Sequence, residues 1–155
     1  MPMVYSVSLA TAGNLTTGTS GTETETFFVK AGTRNVGLQS CSVQGKANAQ
    51  TTISGIGFRV IKWGTASTVG TAIVPAPKDP GMQAAKATAA SRPTSGTTRT
   101  NHHVFGCGKA GPGGFVAENP DSILSMEGSG AQSISVLDVS VEASLVFEFS
   151  ANIVE

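Results

Sequence analysis

The chain has 155 residues, a formal net charge of zero and only 13% charged residues, about half the share of roughly 25% found in average soluble proteins. Hydrophobic residues make up 39%, so intrinsic disorder, which combines high net charge with low hydrophobicity, is excluded. The length predicts a single domain over residues 1–155 that is large enough to bury a core. A weakly charged surface of Gly, Ala, Ser and Thr is typical of a structural protein that packs against neighbours.

The sequence leads us to expect neither membrane insertion nor secretion. No apolar run approaches the length of about 20 residues that spans a bilayer. The start, MPMVYSVSLATAGN, lacks the basic region and the continuous apolar core of a signal peptide, so we expect synthesis in the cytoplasm and no membrane partner. Cys41 and Cys107 are too few for a disulfide framework, and two reduced thiols are the simpler interpretation, with a single bridge between them as the open alternative.

Short β-like segments recur along the chain, separated by clusters of Gly, Ser, Thr and Pro. The candidate strands are residues 3–10, 24–31, 35–45, 51–63, 68–76, 100–106, 113–118, 122–128, 133–142 and 143–154. In the last of these, Leu145, Phe147 and Phe149 share one face, as in a half-buried strand of an antiparallel sheet. The alternation in residues 133–142 changes phase near Leu137.

One segment, residues 79–93, favours a helix. Asp79 is a suitable N-cap, Pro80 suits the first helical position, the Ala-rich centre has high helix propensity and Pro93 ends it. Residues 10–23 and 91–100 are polar and are interpreted as loops or extended arms.

These elements predict an all-β fold, an antiparallel β-sandwich of jelly-roll type with one short helix in a long connection. An immunoglobulin-like sandwich is the nearest alternative, because Trp63 lies between Cys41 and Cys107.

The charges are sorted along the sequence. All ten basic residues lie between Lys30 and Lys109, where Asp79 is the single acid, so this middle segment carries +9 and the flanks carry −9. Two interpretations are open: acids and bases pair within one subunit, or the opposite charges meet between subunits or on an acidic partner. The bases are spread over 80 positions without interleaved aromatic residues, so we expect no nucleic-acid partner. Glu23 and Glu25 are predicted to be solvated charges at a strand edge.

The stretch TNHHVFGCGKAGPGG, residues 100–114, contains both histidines, Cys107 and a glycine-rich loop. Adjacent His102 and His103 on a strand point to opposite faces, so they cannot share one metal ion without a bulge. Metal sites of cupins use an H-x-H spacing, which is missing here. We therefore expect no catalytic residue, no bound metal and no cofactor, and interpret the stretch as a polar strand end followed by a turn at residues 111–114.

Low charge, abundant small residues, many short strands and two polar arms occur together with phrases such as GTETETFFVKAG, ISGIGFRVIKWGTAST and ASLVFEFSANIVE. In these features the chain resembles bacteriophage capsid decoration (cement) proteins. The resemblance implies a small β-rich virion subunit, commonly a homotrimer, on the outside of the phage head where major capsid proteins meet. No defining motif carries the resemblance, so it assigns no functional residue.

Under this interpretation the basic middle segment is the expected capsid-facing surface. Its candidate partner-binding residues are Arg59, Lys62, Lys78, Arg92 and Arg99. Two alternatives come from other classes: a jelly-roll receptor- or glycan-binding module of a phage fibre, and a small cupin-like metalloenzyme that uses His102 or His103.

Overall fold

The computed structural model describes residues 2–8, 15–16, 23–46, 55–68, 70–91, 94–108, 111–117, 123–140 and 145–155. These residues form thirteen β-strands and, within the described ranges, no helix, which confirms the all-β class. The strands are β1 (Val4–Ser8), β2 (Leu15–Thr16), β3 (Thr24–Lys30), β4 (Val36–Gly45), β5 (Ile56–Thr65), β6 (Thr71–Ile73), β7 (Ala76–Pro77), β8 (Thr88–Ser91), β9 (Thr97–Cys107), β10 (Pro112–Val116), β11 (Leu124–Met126), β12 (Ser133–Asp138) and β13 (Val146–Val154).

All strand pairs are antiparallel and follow the order β6-β8-β3-β12-β5-β9-β10-β4-β13-β1-β7, with β11 paired to β4 and β2 paired to β13. The strands at the two ends of this order, β6 and β7, are consecutive in the chain and are separated by Val74 and Pro75. Because such a connection spans at most about 11 Å, the two ends of the sheet lie close together. The sheet is therefore curled on itself.

The apolar core lies inside this curl. Strands β6, β8, β3, β12, β5 and β9 form the first half of the sheet, and strands β10, β4, β13, β1 and β7 form the second half. Aromatic side chains join the halves, with ring centroids 5.3 Å apart for Phe27 and Phe149 and 5.1 Å apart for Phe58 and Phe147. All four rings are buried, so they are a main source of the hydrophobic stabilisation of the fold.

The alternation in the sequence matches the burial in the structure. Leu145, Phe147 and Phe149 are buried, and the intervening residues of β13 are more exposed. The phase change near Leu137 is also confirmed, because the pairing of β12 with β3 shifts register between Val136 and Leu137. The extra residue of this bulge is Thr26 of β3, and along β12 the apolar residues change face: Ile134 and Val136 belong to the main core, whereas Leu137 and Val139 pack with Ile61 on the other face.

The predicted helix at residues 79–93 is wrong. The backbone N–H groups of Gly81 and Met82 bond to the Asp79 side chain and carbonyl at 3.2 and 3.0 Å, which closes a turn rather than a first helical turn. Downstream, residues Thr88–Ser91 form β8 and pair with β3 and β6. Ala89 and Ala90 are buried there. Burial and sheet hydrogen bonds outweigh the small helix preference of alanine, which amounts to about 0.5 kcal/mol per residue.

Two loop predictions also need correction. Of the glycine-rich turn predicted at 111–114, residues Pro112–Gly114 belong to β10. Of the arm predicted at 91–100, Ser91 ends β8 and Thr97 begins β9, and residues 92–93 lie outside the described part of the chain. The arm predicted at 10–23 also lies outside it, except for residue 23 and the short strand β2.

Candidate functional site

The described ion pairs join the basic middle segment to the acidic flanks within one subunit. The pairs are Arg34–Glu155 at 3.8 Å, Lys46–Glu148 at 2.5 Å, Arg59–Glu23 at 2.7 Å and Arg99–Glu23. Each pair connects a base of the middle segment to an acid that precedes or follows it in sequence. For these residues the interpretation of pairing within the subunit is therefore confirmed.

Two of the predicted partner-binding residues, Arg59 and Arg99, share the carboxylate of Glu23. Arg59 and Arg99 lie on the adjacent strands β5 and β9, and Arg99 also donates to Asn101 Oδ1 at 2.7 Å. The hydrogen bond from Arg99 lowers the pKa of Glu23 in spite of partial burial, and both arginine charges lower it further. The same hydrogen bond raises the pKa of Arg99. One acid between two bases leaves this cluster with a single positive charge.

The other predicted partner-binding residues do not join this cluster. Lys62 lies three residues from Arg59 on β5 and therefore points to the opposite face of the strand, where its Nζ donates to the Ser125 carbonyl at 3.0 Å. Lys78 is exposed directly after β7. Arg92 lies outside the described residues. The four described positions, Arg59, Lys62, Lys78 and Arg99, are consequently spread over at least two faces of the described structure.

Glu25 is buried, contrary to its predicted role as a solvated edge charge. Its side chain is 5% exposed, and its Oε1 accepts hydrogen bonds from the hydroxyl groups of Ser67, at 2.7 Å, and Ser135. The Ser67 backbone N–H donates to the Ser133 hydroxyl at 3.0 Å. These bonds fasten the segment after β5 onto the sheet, so Glu25 has a structural role.

A β-bulge lies at the histidine pair. Val60 is opposite His103 and Ile61 is opposite Asn101, so His102 is the extra residue of β9. Burial lowers the pKa of His102, and the nearby charges of His103 and Lys62 lower it further. The bulge removes the objection that the two side chains must point to opposite faces. In the part of the chain that the structure describes, however, no group of three or more His, Cys, Asp or Glu could hold a metal ion.

Among the described residues, one edge of β9 is largely without a strand partner and is called open. Its first edge pairs with β5 along nearly the whole strand, and its second edge pairs with β10 at the single register position Cys107–Gly113 among the described residues. We call the second edge over Thr97–Gly106 the β9 edge. Most side chains of this strand are exposed, including Val104, with an exposed fraction of 72%. Unpaired backbone N–H and C=O groups of this kind can template the addition of another strand.

An aromatic cluster lies where β9 and β10 separate. It consists of His103, Phe105 and Phe115, with His103 stacked on Phe115 at 5.2 Å and Phe105 next to Phe115 at 5.6 Å. Phe105 and Phe115 are half-buried, and Phe105 stacks on the core residue Phe58 at 5.4 Å. The sequence analysis did not predict this cluster. The H-x-F-x-C alternation of residues 103–107 is the signal that could have indicated it, because it places these side chains on one face of β9.

Glycine residues allow β10 to approach both neighbours. A Cβ atom at Gly113 would lie 2.0 Å from the Gly106 carbonyl oxygen, and one at Gly114 would lie 2.2 Å from the Cys41 carbonyl oxygen. The glycine-rich stretch therefore serves close packing of strands rather than a turn. Cys41 and Cys107 are both free and buried, and burial raises the pKa of each thiol.

A polar cleft of about 590 Å³ lies beside β5 and β11. Its lining residues come from three separate stretches of the sequence and are Asn35, Lys62, Gly64, Ser125, Met126, Glu127, Ser129, Ala131 and Gln132. Of the predicted partner-binding residues that the structure describes, Lys62 lines the cleft. No local motif connects these residues, so the cleft was not predictable from the sequence.

Within the described ranges, no helix has the length and apolar character that crossing a bilayer requires. Comparison of the chain with protein-family models, with curated proteins and with solved structures gives no match.

Proposed function

We propose that this chain is a virion structural protein, a decoration (cement) subunit that binds the outside of a bacteriophage head and stabilises contacts between major capsid proteins. The observation that carries the proposal is the open β9 edge with the aromatic cluster beside it. In this proposal the curled sheet belongs to the jelly-roll type of β-sandwich, and the subunit has no catalytic step.

The β9 edge suits an extended arm of the major capsid protein. The β9 edge covers all of β9 except Cys107, which corresponds to about 33 Å of strand, so an added strand could form a long ladder of main-chain hydrogen bonds. An apolar side chain of that strand would pack on Phe105 and Phe115, which are half-buried and already in contact with the core. Main-chain bonding gives affinity, and the aromatic cluster selects the register.

In this proposal, charge contributes less to capsid binding than the basic middle segment of the sequence indicates. Arg59 and Arg99 are engaged by Glu23, so the predicted basic surface is partly neutralised within the subunit. Binding then depends on strand addition and on apolar contacts over roughly 800 Å² per partner. A homotrimer on a symmetric shell multiplies such contacts into high avidity.

The test compares two exposed valines. Val104 lies on β9, and Val74 lies in the connection between β6 and β7, with exposed fractions of 72% and 87%. Heads are purified from a phage whose gene for this chain is deleted, and the recombinant protein is added back and measured by co-sedimentation. We expect the Val104→Lys variant to bind roughly tenfold more weakly, because a lysine at a strand edge opposes pairing, and the Val74→Lys variant to bind like the unchanged protein.

Two results would overturn the proposal. The first is that heads from the deletion strain have the same protein composition as wild-type heads and do not bind the added protein. The second is that both valine variants bind as well as the unchanged chain, which would exclude the β9 edge as the contact.

A further inference from the structure

The polar cleft has the size and shape of a small-molecule site. Its volume of about 590 Å³ falls within the usual range of about 300–1,000 Å³ for ligand pockets. Most ligand pockets are lined mainly by apolar side chains, whereas this lining is dominated by amide, hydroxyl, amine and carboxylate groups. Met126 is buried beneath it. A ligand that matches this lining presents many hydrogen-bonding groups and little apolar surface.

Internal hydrogen bonds hold the lining in place. The Gly128 backbone N–H donates to Asn35 Oδ1 at 2.9 Å, which fixes the orientation of the side-chain amide. The Nδ2 donors of Asn35 are not used in this bond. Lys62 Nζ uses one of its three donors on the Ser125 carbonyl. These polar groups are therefore pre-oriented, which reduces the entropy lost when a ligand binds.

The turn that forms one wall of the cleft is similarly ordered. The Ser129 backbone N–H donates to the Glu127 carbonyl at 2.8 Å, and the Ala131 N–H donates to the Ser129 hydroxyl at 3.4 Å. Gly130 has a φ of 68°, in the left-handed region that favours glycine. Local hydrogen bonds and the left-handed conformation of Gly130 therefore hold this wall of the cleft in place.

The charges of the cleft balance. Among the described lining residues Lys62 is the base and Glu127 is the acid, so these side chains together carry no net charge that would favour an anion or a cation. The amides of Asn35 and Gln132 both donate and accept hydrogen bonds, as do the hydroxyl groups of Ser125 and Ser129. Vicinal hydroxyl groups of a sugar present the same alternation of donors and acceptors.

We propose that this cleft binds a neutral saccharide. Asn35 and Gln132 contact its hydroxyl groups through their amides, and Lys62 and Glu127 supply one charged donor and one charged acceptor. The inference does not rest on the capsid proposal, because the β9 edge and this cleft use different residues. Among the described lining residues there is no aromatic side chain for a sugar ring to stack on, so we expect a dissociation constant on the order of 1 mM.

The test is a titration of the isotope-labelled full chain with glucose, galactose, mannose and N-acetylglucosamine, followed by NMR. We expect at least one sugar to shift the side-chain amide signals of Asn35 and Gln132 and the backbone signals of residues 127–131 in a saturable manner. The Gln132→Ala and Lys62→Ala variants should each bind roughly fivefold more weakly, the loss expected for one hydrogen bond. Lys78→Ala is the matched control for Lys62→Ala and should bind like the unchanged chain.

The spectra of the variants also report whether they are folded, so a loss of binding is separable from a loss of structure. The inference fails if none of the four sugars shifts the cleft signals, or if the shifts occur elsewhere on the protein. Glucuronate is titrated in the same way as a charged comparison, and the inference also fails if it alone shifts the cleft signals, because the cleft would then recognise the carboxylate and not the hydroxyl groups.

Discussion

Phe58 on β5 and Phe147 on β13 pack edge to face with ring centroids 5.1 Å apart, although their strands belong to opposite halves of the curled sheet. Phe58 also stacks on Phe105 and approaches Phe149 at 6.4 Å. A single side chain therefore connects the two halves of the sheet to each other and to the aromatic cluster beside the β9 edge.

Truncation of Phe58 is expected to cost more stability than truncation of Phe105. Phe58 is fully buried, so Phe58→Ala should lower the free energy of unfolding by about 3–5 kcal/mol through lost burial and a cavity. Phe105 is half-buried, and its truncation should cost less. Urea denaturation monitored by circular dichroism measures both. Equal costs for the two variants would show that Phe58 does not connect the halves in the way described.

Substitution of Gly113 is expected to separate β10 from β9. A Cβ atom there would lie 2.0 Å from the Gly106 carbonyl oxygen and 2.8 Å from Cys107 Cβ, so Gly113→Ala should destabilise the protein by about 1–3 kcal/mol. Hydrogen exchange of the Cys107 amide should accelerate. The matched control is Gly108→Ala, because a Cβ atom at Gly108 meets nothing within 4 Å. A Gly113→Ala variant as stable as Gly108→Ala would contradict the close approach of these strands.

The Glu23 cluster predicts a pH dependence of stability. The hydrogen bond from Arg99 lowers the pKa of Glu23 in the folded state, so the folded state favours the charged carboxylate. This contribution is fully present above the ordinary glutamate pKa of about 4.3 and is lost as the pH falls through the lower folded-state pKa. Glu23→Gln should therefore destabilise the protein by about 0.5–1 kcal/mol at pH 7, and the difference should disappear in acid.

The control for Glu23 is Glu148→Gln, which removes an exposed ion pair with Lys46 and should have a smaller effect. Thermal unfolding at pH 7 and in acid, at low and high salt, measures both variants. Since Glu23 is partly exposed, salt should weaken its contribution. A difference between wild type and Glu23→Gln that persists unchanged at pH 2 would show that the loss comes from packing and not from charge.

The two thiols are expected to resist modification in the folded protein. Burial raises the pKa of Cys41, and burial also raises the pKa of Cys107, although a backbone hydrogen bond at Gly45 opposes this. Little thiolate should form at pH 8, so Ellman's reagent should react slowly with native protein and rapidly after unfolding in urea. Cys107 has the larger exposed fraction, 8% against 2%, and should react first. Rapid reaction of Cys41 in the native state would contradict its position in the core.

Features that depend on neighbouring residues in the chain were predictable. The side-chain period of two identified most of the strands, the face formed by Leu145, Phe147 and Phe149, and the change of apolar face near Leu137. The same local reasoning failed at residues 79–93, because helix propensity is weak and β8 is held between β6 and β3, the latter about 60 positions away in the sequence. It also failed at Glu25, whose burial depends on Ser67 and Ser135.

The sequence by itself determined the all-β class, the strand faces and the segregation of charge into a basic middle and acidic flanks. The tertiary structure alone decided which charges meet, such as Glu23 with Arg99, 76 positions apart, and which strand keeps an open edge. The physical reason is the range of the interactions. Side-chain alternation is a property of successive residues, whereas an ion pair, a free strand edge and a cleft are set by segments that only the folded chain brings together.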